Sequence, residues 1–448
     1  MKILFTPVGG TDPISENTLR DGAMLHIARV YKPDKVIMYM SKEMIDRQEM
    51  DGRYTYCLEK LGEFLGKSFE YEIIKRPELV NVHIFNDFYD DFENIIKDIY
   101  STMGENDELL ANVSSGTPAM KSTLMVLKTI LELPCRLIQV ATPSGRMNEH
   151  THTENVKELW ELDEDNCENF IDRCSEIACP SLHKIKYREI IKQHVRSYDY
   201  QAAVTVADLL PLSDTKDYIK QLKLAAARLM LDHYEVDRIQ KDISVDFLPH
   251  KNDDVRKYFE YALNLDIKLQ KKEYADFVRA ITPIIFDLFA LALKEKCKVD
   301  IFEYCKQSNN GVYKWDRNKL LSSDTGKRIN ECLNKKWSSH NGHGFKYDVP
   351  YAVHIKEIAG EFSNDKEFLK LLKNLRKVEG GVRNLAAHEI ISINDKFIIS
   401  KTGFTSDQIM DMIKELFRYT GIAIKRADWN SYDDMNRAIC DTIDKVYE

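Results

Sequence analysis

The sequence predicts an α/β N-terminal domain with a Rossmann-like open sheet, followed by an all-α connector and an all-α C-terminal domain. Two observations predict it. Over the first 145 residues short apolar runs alternate with helical stretches, whereas from about Leu182 onward nearly every segment has helical spacing. The chain of 448 residues is long enough for more than one core, and 44% hydrophobic with 30% charged residues is an ordinary globular composition, not a disordered one.

Taken in order, Ile3–Val8 is a short apolar strand, Glu16–Tyr31 has helical spacing and Lys35–Met40 is a second strand. Tyr71–Lys75 reads as a strand, Asp87–Tyr100 as a helix, Leu109–Val113 as a strand, Pro118–Leu133 as a helix and Arg136–Ala141 as a strand. Apolar strands separated by helices make a parallel sheet covered on both faces. Beyond it, Tyr200–Leu210 and Asp217–Tyr234 are helical, with breaks at Pro211 and near Pro249, and Tyr274–Lys296 opens the last domain. A polar stretch, Ser308–Asn330, and a loop holding His340 and His343, Ser338–Phe345, interrupt it. The domain boundaries expected from this pattern are 1–178, 179–272 and 273–448.

The opening M-K-I-L-F-T-P-V-G-G is too short an apolar run for a secretory leader, and Asp12 and Glu16 follow it closely. Phe277–Leu293, the most apolar helix, is interrupted by Arg279, Pro283 and Asp287 and reads as a core helix. No membrane contact and a cytoplasmic location are therefore expected. Nine scattered cysteines make no disulfide framework. Cys167, Cys174, Cys179 and His183 lack a C-x-x-C pair, and 167 with 174 is a helical repeat, which favours buried thiols over a metal site. No metal is expected there, nor at His340 and His343.

Charge is unevenly shared. Through Pro180 the chain has 19 Lys plus Arg against 32 Asp plus Glu, and the remainder has 45 against 40. The second part is the better place for a polyanion, and an anion bound by the first part must be held locally by backbone amides and hydroxyls.

Two loops at strand ends have that local chemistry. In V-G-G-T-D-P, Gly9 and Gly10 allow close backbone approach, and Thr11 or Asp12 can cap the following helix. In N-V-S-S-G-T-P, Asn112 precedes Ser114, Ser115 and Gly116; Thr117 is a natural N-cap and Pro118 suits the first helical position. Neither G-x-G-x-x-G nor a G-x-x-x-x-G-K-[ST] loop is present, which disfavours a dinucleotide coenzyme and a nucleotide-hydrolysing site.

The catalytic candidate lies in E-G-G-V-R-N-L-A-A-H-E-I, residues 379–390. The glycine pair is expected to break one helix, and Leu385, Ala386 and Ala387 to favour a new one that carries Arg383 and His388 on its first turns. An imidazole moves protons near neutral pH. A guanidinium stabilises the charge on a phosphate attacked by a neighbouring 2′-hydroxyl. The same spacing occurs at Arg20/His26, Arg76/His83, Arg146/His152, Arg188/His194 and Arg228/His233, so context decides. Only the Arg383 copy follows a glycine pair and continues with Asn384 and small residues.

The order of parts resembles the CRISPR-associated ancillary ribonucleases of type III-A systems, which join a CRISPR-associated Rossmann fold (CARF) domain to a C-terminal HEPN domain. The resemblance spans essentially the whole chain. It rests on V-G-G-T-D-P-I at 8–14, N-V-S-S-G-T-P at 112–118, A-T-P-S-G-R at 141–146, S-Y-D-Y-Q-A-A at 197–203 and R-N-L-A-A-H at 383–388. It implies that the CARF domain binds a cyclic oligoadenylate activator, with the hexa-adenylate favoured, and that the HEPN domain cleaves single-stranded RNA. By position, Arg383 and His388 would be catalytic, Asn384 would order the site, and the two N-terminal loops would contact the activator. No cofactor is implied. One Arg and one His per chain imply a symmetric homodimer, in which two copies supply both acid and base. A reading from another class is a nucleotide-sensing regulator with a non-catalytic helical effector domain. For it T-G-F-T-S-D-Q-I-M-D-M at 402–412 would begin a helix-turn-helix, although a basic recognition helix is missing.

Overall fold

The computed structural model describes residues 1–131, 133–143, 155–178, 180–309, 311–341, 344–382 and 392–446. Backbone contacts divide the chain into two compact units, Met1–Lys186 and Tyr187–Glu448.

In the first unit, β1 (Lys2–Pro7) leads to a small antiparallel pair, β2 (Ile14–Ser15) and β3 (Arg20–Asp21), and then to α1 (Ala23–Tyr31). There follow β4 (Lys35–Ser41), α2 (Lys42–Asp51), α3 (Arg53–Leu65), β5 (Glu70–Arg76), α4 (Asn86–Thr102), β6 (Glu108–Asn112), α5 (Pro118–Ile130), β7 (Arg136–Val140), α6 (Val156–Leu162) and β8 (Cys174–Ile177). The sheet runs β5-β4-β1-β6-β7-β8, parallel except for β8, which pairs antiparallel with β7. Strand alternation builds two cores. Leu4, Val36, Met38 and Leu110 pack under α1 and α3, while Ile3, Phe5, Tyr39 and Leu109 pack under α4 and α5. On α4 the buried positions 88, 92, 95, 96 and 99 form one face of a 3.6-residue helix.

Two expectations change here. The predicted helix Glu16–Tyr31 begins only at Ala23, because its first half is held in a turn by distant partners. Asp21 N–H donates to Asp165 Oδ2 at 3.0 Å, and Gly22 N–H to the Pro13 carbonyl at 2.7 Å. Cys174 sits in β8 and not on a helix, and Cys167 is exposed, so neither is a buried thiol of one helical face.

The second unit is helical. Helix α7 (Pro180–Arg196) spans its boundary; α8 (Tyr200–Ala207), α9 (Leu212–Thr215), α10 (Ile219–Leu229), α11 (His233–Gln240), α12 (Asp253–Gln270) and α13 (Tyr274–Cys297) follow. After the hairpin of β9 (Cys305–Gln307) and β10 (Tyr313–Trp315) come α14 (Arg317–Leu321), α15 (Asp324–Asn341), α16 (Ala352–Phe362), α17 (Lys366–Val382), α18 (Asp395–Thr402), α19 (Ser406–Phe417) and α20 (Ser431–Lys445). The stretches expected to interrupt this domain are partly helix: β10 holds the start of the polar one, while α14 and α15 take up Arg317–Leu321 and Asp324–Asn341.

One hydrophobic core extends from Ile191 to Ile443, so the helices expected to act as a connector share their interior with the C-terminal ones. At its centre Arg228 and Glu260, each about 2% exposed, form two parallel hydrogen bonds of 2.9 Å. Arg228 also donates to the Phe247 carbonyl and Ser431 Oγ, and its guanidinium lies 4.0 Å from the Tyr432 ring centre. Full pairing is what makes a buried guanidinium tolerable. Among the described residues no helix is long and apolar enough to cross a membrane.

Candidate functional site

Strands β1, β4 and β5 extend the sheet to one side and β6 and β7 to the other, so chain order reverses between β1 and β6. In open α/β sheets a crevice opens at that point, outside the carboxyl ends of the strands. Here it is a cavity of about 340 Å³ lined by Gly9, Gly10, Gly116 and Thr117 together with Ser41, Glu43 and Arg47.

Side chains turned inward shape both loops. Asp12 is buried: Oδ2 accepts from the Gly9 N–H at 2.9 Å and Oδ1 from the Met24 N–H at 3.0 Å, which caps α1 from twelve residues upstream. Burial pushes its pKa up, against the pull of the Ser115 hydroxyl, those two amides and the Lys121 charge. Asn112 is also buried. Its Oδ1 accepts from Ser114 and Ser115 N–H at 2.8 and 3.2 Å, and its Nδ2 donates to Thr6 Oγ1 at 2.9 Å. The Val140 N–H donates to Ser114 Oγ at 2.7 Å, which ties the loop to β7. Thr117 caps α5 by accepting from the Met120 N–H, and its hydroxyl donates to the Val82 carbonyl at 2.7 Å. Gly9, Gly10, Gly116 and Thr117 thus line the crevice, Thr11 is half-buried beside it, and Asp12, Asn112, Ser114 and Ser115 build the loops.

Sequence reasoning missed two cations. Arg47 reaches the Gly10 carbonyl at 3.5 Å and pairs with Glu43 one helical turn earlier. The available signal was that i,i+4 pair directly after β4, but α2 buries only Met44 and Ile45 and shows little apolar periodicity. Half-buried Lys121, in the first turns of α5, has its pKa lowered by burial, against the opposing charge of Asp12.

A second polar cluster lies in the same unit. Arg29 pairs with Asp21, Arg173 and Arg20 pair with Asp165, and His26 Nε2 accepts from the Arg173 N–H at 2.9 Å. Burial and then the Asp21 charge push the Asp163 carboxyl up. Burial also opposes ionisation of Asp165, but His26, Arg173 and Arg20 hold its carboxyl well below the usual range. Asp21, His26 and Asp165 are close enough to share a cation, as are His26, Asp172 and Cys174, yet arginine donors already occupy Asp21 and Asp165. This cluster pins the β2–β3 turn to residues 163–173. Beside it Ala141, Thr142 and Pro143, from the A-T-P-S-G-R stretch, line a cavity of about 420 Å³ with Thr18, Arg20 and Arg173.

In the second unit Arg383, Asn384 and His388 lie outside the described residues. What is described is the helix that leads to them. The glycine pair does not break it: α17 continues through Gly380 and Gly381 to Val382. A Cβ on Gly381 would stand 2.7 Å from the Lys401 carbonyl oxygen, so glycine lets the end of α17 pack against α18. The competing Arg/His spacings have structural partners. Arg228 is the buried centre of the core, Arg76 pairs with Asp91, and Arg20 belongs to the Asp165 cluster. Arg146 and His152 lie outside the described residues. The S-Y-D-Y-Q-A-A stretch is structural: the Tyr198 hydroxyl donates to Asp433 and the Tyr200 hydroxyl to Asn436 Oδ1, both on α20.

Three family models match successive parts of the chain: the Cas_Csm6 CARF domain over residues 70–174, the CRISPR-associated protein Csm6 6H domain over 177–229, and the Cas_Csm6 HEPN domain over 247–440. The chain belongs to the CARF–HEPN family of type III ancillary ribonucleases. It is 29% identical over 447 residues to the CRISPR system endoribonuclease Csm6 of Mycobacterium tuberculosis, covering 99% of each chain. The enzyme of the same name from Streptococcus thermophilus is 26% identical over 457 residues, covering 98% of this chain and 99% of that one. Among solved structures, Enterococcus italicus Csm6 bound to cyclic hexa-2′-fluoro-hexa-dAMP aligns over 99% of this chain and 100% of that one, with a TM-score of 0.69 and 19% identity. The α/β unit is therefore the CARF domain, and the helical unit contains the HEPN domain.

Proposed function

We propose that this protein is an endoribonuclease of type III CRISPR defence that a cyclic oligoadenylate switches on. The observation that carries the reading is the order of parts: CARF, 6H and HEPN models follow one another along the chain, and the CARF sheet has at its switch point a crevice of about 340 Å³ lined by Gly9, Gly10, Ser41, Arg47, Gly116 and Thr117. Gly9, Gly10, Thr11 and Asp12 with Asn112 and Ser114–Thr117 form the two activator loops. Gly9, Gly10, Gly116 and Thr117 meet the ligand, and the others hold the loops in shape.

Arg383 and His388 cleave single-stranded RNA. The histidine moves the proton, the guanidinium stabilises the charge on phosphorus, and Asn384 orders the pair. Attack by the adjacent 2′-hydroxyl makes a metal ion unnecessary and leaves a 2′,3′-cyclic phosphate. Two chains in a homodimer bring two such sets together, and a ring of repeated nucleotides presents equivalent phosphates to both CARF crevices. The hexa-adenylate is the preferred ring, and the protein works in the cytoplasm.

The regulator reading is not favoured. Helix α19 carries Asp407, Asp411 and Glu415, and its Lys414 is paired with Asp266 at 3.0 Å, so it offers no basic face to nucleic acid.

The test is to incubate purified protein with a fluorescent single-stranded RNA and EDTA, with and without cyclic tetra- or hexa-adenylate, and to analyse the product ends. Cleavage that needs a ring, survives EDTA and leaves cyclic phosphates supports the reading. Equal cleavage without a ring, or none with either, overturns it, and a monomeric mass at full activity removes the dimer.

A further inference from the structure

Helix α17 carries lysines at 366, 370, 373 and 377, all exposed. At about 100° per residue these positions fall within an arc of about 60°. The opposite face is core: Phe368, Leu371, Leu372, Leu375 and Val378 are buried. Four ammonium groups therefore form a single straight row along about 16 Å of helix.

None of the four pairs with a carboxylate among the described residues, which sets them apart from their surroundings. On the same helix Arg376 is tied to Glu379 at 3.4 Å, and nearby Lys296 to Asp365 at 2.9 Å and Arg418 to Glu415 at 2.8 Å. Lysines at 366/370 and 373/377 are like charges one turn apart, an arrangement that opposes the helix. The row stands in a chain of net charge −8, so it is a local positive feature on an acidic background. It reaches the last turns of α17, six residues in sequence before Arg383. There Lys377 lies 5.4 Å from the Phe404 ring centre and Lys401 5.6 Å from that of Phe397, so cations and rings alternate at the end of the row.

We propose that Lys366, Lys370, Lys373 and Lys377 form a track for the phosphate backbone of single-stranded RNA, which leads substrate to the segment bearing Arg383 and His388. This rests on the ribonuclease reading above. Flexible ammonium groups make point-charge contacts without the planar fork that reads base edges, so the track holds RNA of any sequence. Rings at its end give the bases a stacking surface.

The experiment uses the full-length chain with Lys366→Gln, Lys370→Gln, Lys373→Gln and Lys377→Gln combined. Glutamine has nearly the same helix propensity, so the helix is kept. A control variant carries the same four changes at exposed Lys216, Lys223, Lys241 and Lys251. Activated cleavage of a labelled RNA of about twenty nucleotides is measured from about 50 to 400 mM KCl, a range over which phosphate neutralisation dominates the salt dependence. For the track variant, the slope of log(kcat/KM) against log salt should fall by roughly 2 to 3, at about 0.7 for each phosphate that is no longer neutralised. KM at physiological salt should rise at least tenfold, with kcat and the activator concentration for half-activation unchanged. The control should keep the wild-type slope.

A wild-type slope in the track variant overturns the proposal, as does a fall in slope equal to the control's. A change in half-activation alone would assign the row to the activator and also overturn it. If wild type does not cleave, the ribonuclease reading falls separately. Binding of the labelled RNA by fluorescence anisotropy then tests the track, with the same slope difference required.

Discussion

Gly9 and Gly116 hold the two loops of the CARF crevice in direct backbone contact: a Cβ on Gly9 would stand 2.8 Å from the Gly116 nitrogen. Gly116 itself has φ +79°, and a Cβ there would meet Met120 Sδ at 2.8 Å. Gly9→Ala must push the loops apart, since the atom it meets is backbone and not the end of a flexible side chain. The expected result is a rise of at least tenfold in the ring concentration for half-activation, with maximal cleavage retained at saturation. An activation curve superimposable on wild type would show that this close approach is irrelevant to sensing.

Asn112 holds its loop from the buried side. Asn112→Ala leaves the Ser114 and Ser115 amides without their acceptor, at a cost of about 1–3 kcal/mol to the first unit. Asn112→Asp keeps that acceptor and gives up the donation to Thr6, so at a pH low enough to keep the new buried carboxyl protonated it should be the milder change. Urea unfolding followed by circular dichroism ranks the two, and the reverse order would contradict the role given to Oδ1.

His354 sits in an aromatic cage of Trp315, Trp337, Phe345 and Tyr351, where Nδ1 accepts from Trp315 Nε1 at 3.3 Å and from the Tyr351 N–H at 3.1 Å. Burial, and then the Arg376 charge, push its pKa down to about 4. With the folded pKa below the unfolded one, the unfolded chain binds more protons between the two values. Its neutral form therefore supports the fold fully above about pH 6.5, and that support is lost as pH falls toward 4. Roughly 3 kcal/mol should disappear across that window. Denaturation midpoints measured at several pH values check it, and His354→Gln should flatten this part of the profile.

Arg383→Ala and His388→Ala should each lower activated cleavage by about 10²- to 10⁴-fold while ring binding and thermal stability stay at wild type. Asn384→Ala should cost less. His194→Ala and His233→Ala serve as controls. Abolished cutting in either would mean that the wrong Arg/His spacing had been chosen.

The alternation of strand and helix was legible because β1, β4, β6 and β7 are apolar runs with buried residues on both faces of the sheet. The Thr117–Pro118 start of α5 was equally plain, since its signal is local chemistry. The β2–β3 turn was not legible, because Asp21 is held by Asp165, a partner that no short window contains. Asp12 was legible as a cap of the following helix, whereas the inward bonds of Asn112 to Thr6 and to the Ser114 and Ser115 amides were not. Gly380 and Gly381 read as helix breakers, yet the close approach of Lys401 makes the second of them a packing residue inside the helix. Propensity yields to tertiary packing at such positions.

The buried arginine of the second unit has a consequence for synthesis on the ribosome. Its ring partner, Tyr432, and its hydroxyl partner, Ser431, are made long after it, and Tyr198 and Tyr200 likewise wait for Asp433 and Asn436. A nascent chain that stalls short of them carries R-N-L-A-A-H already translated but lacks the partners that close the interior of the second unit. Closure of that interior thus waits on residues translated after the R-N-L-A-A-H segment.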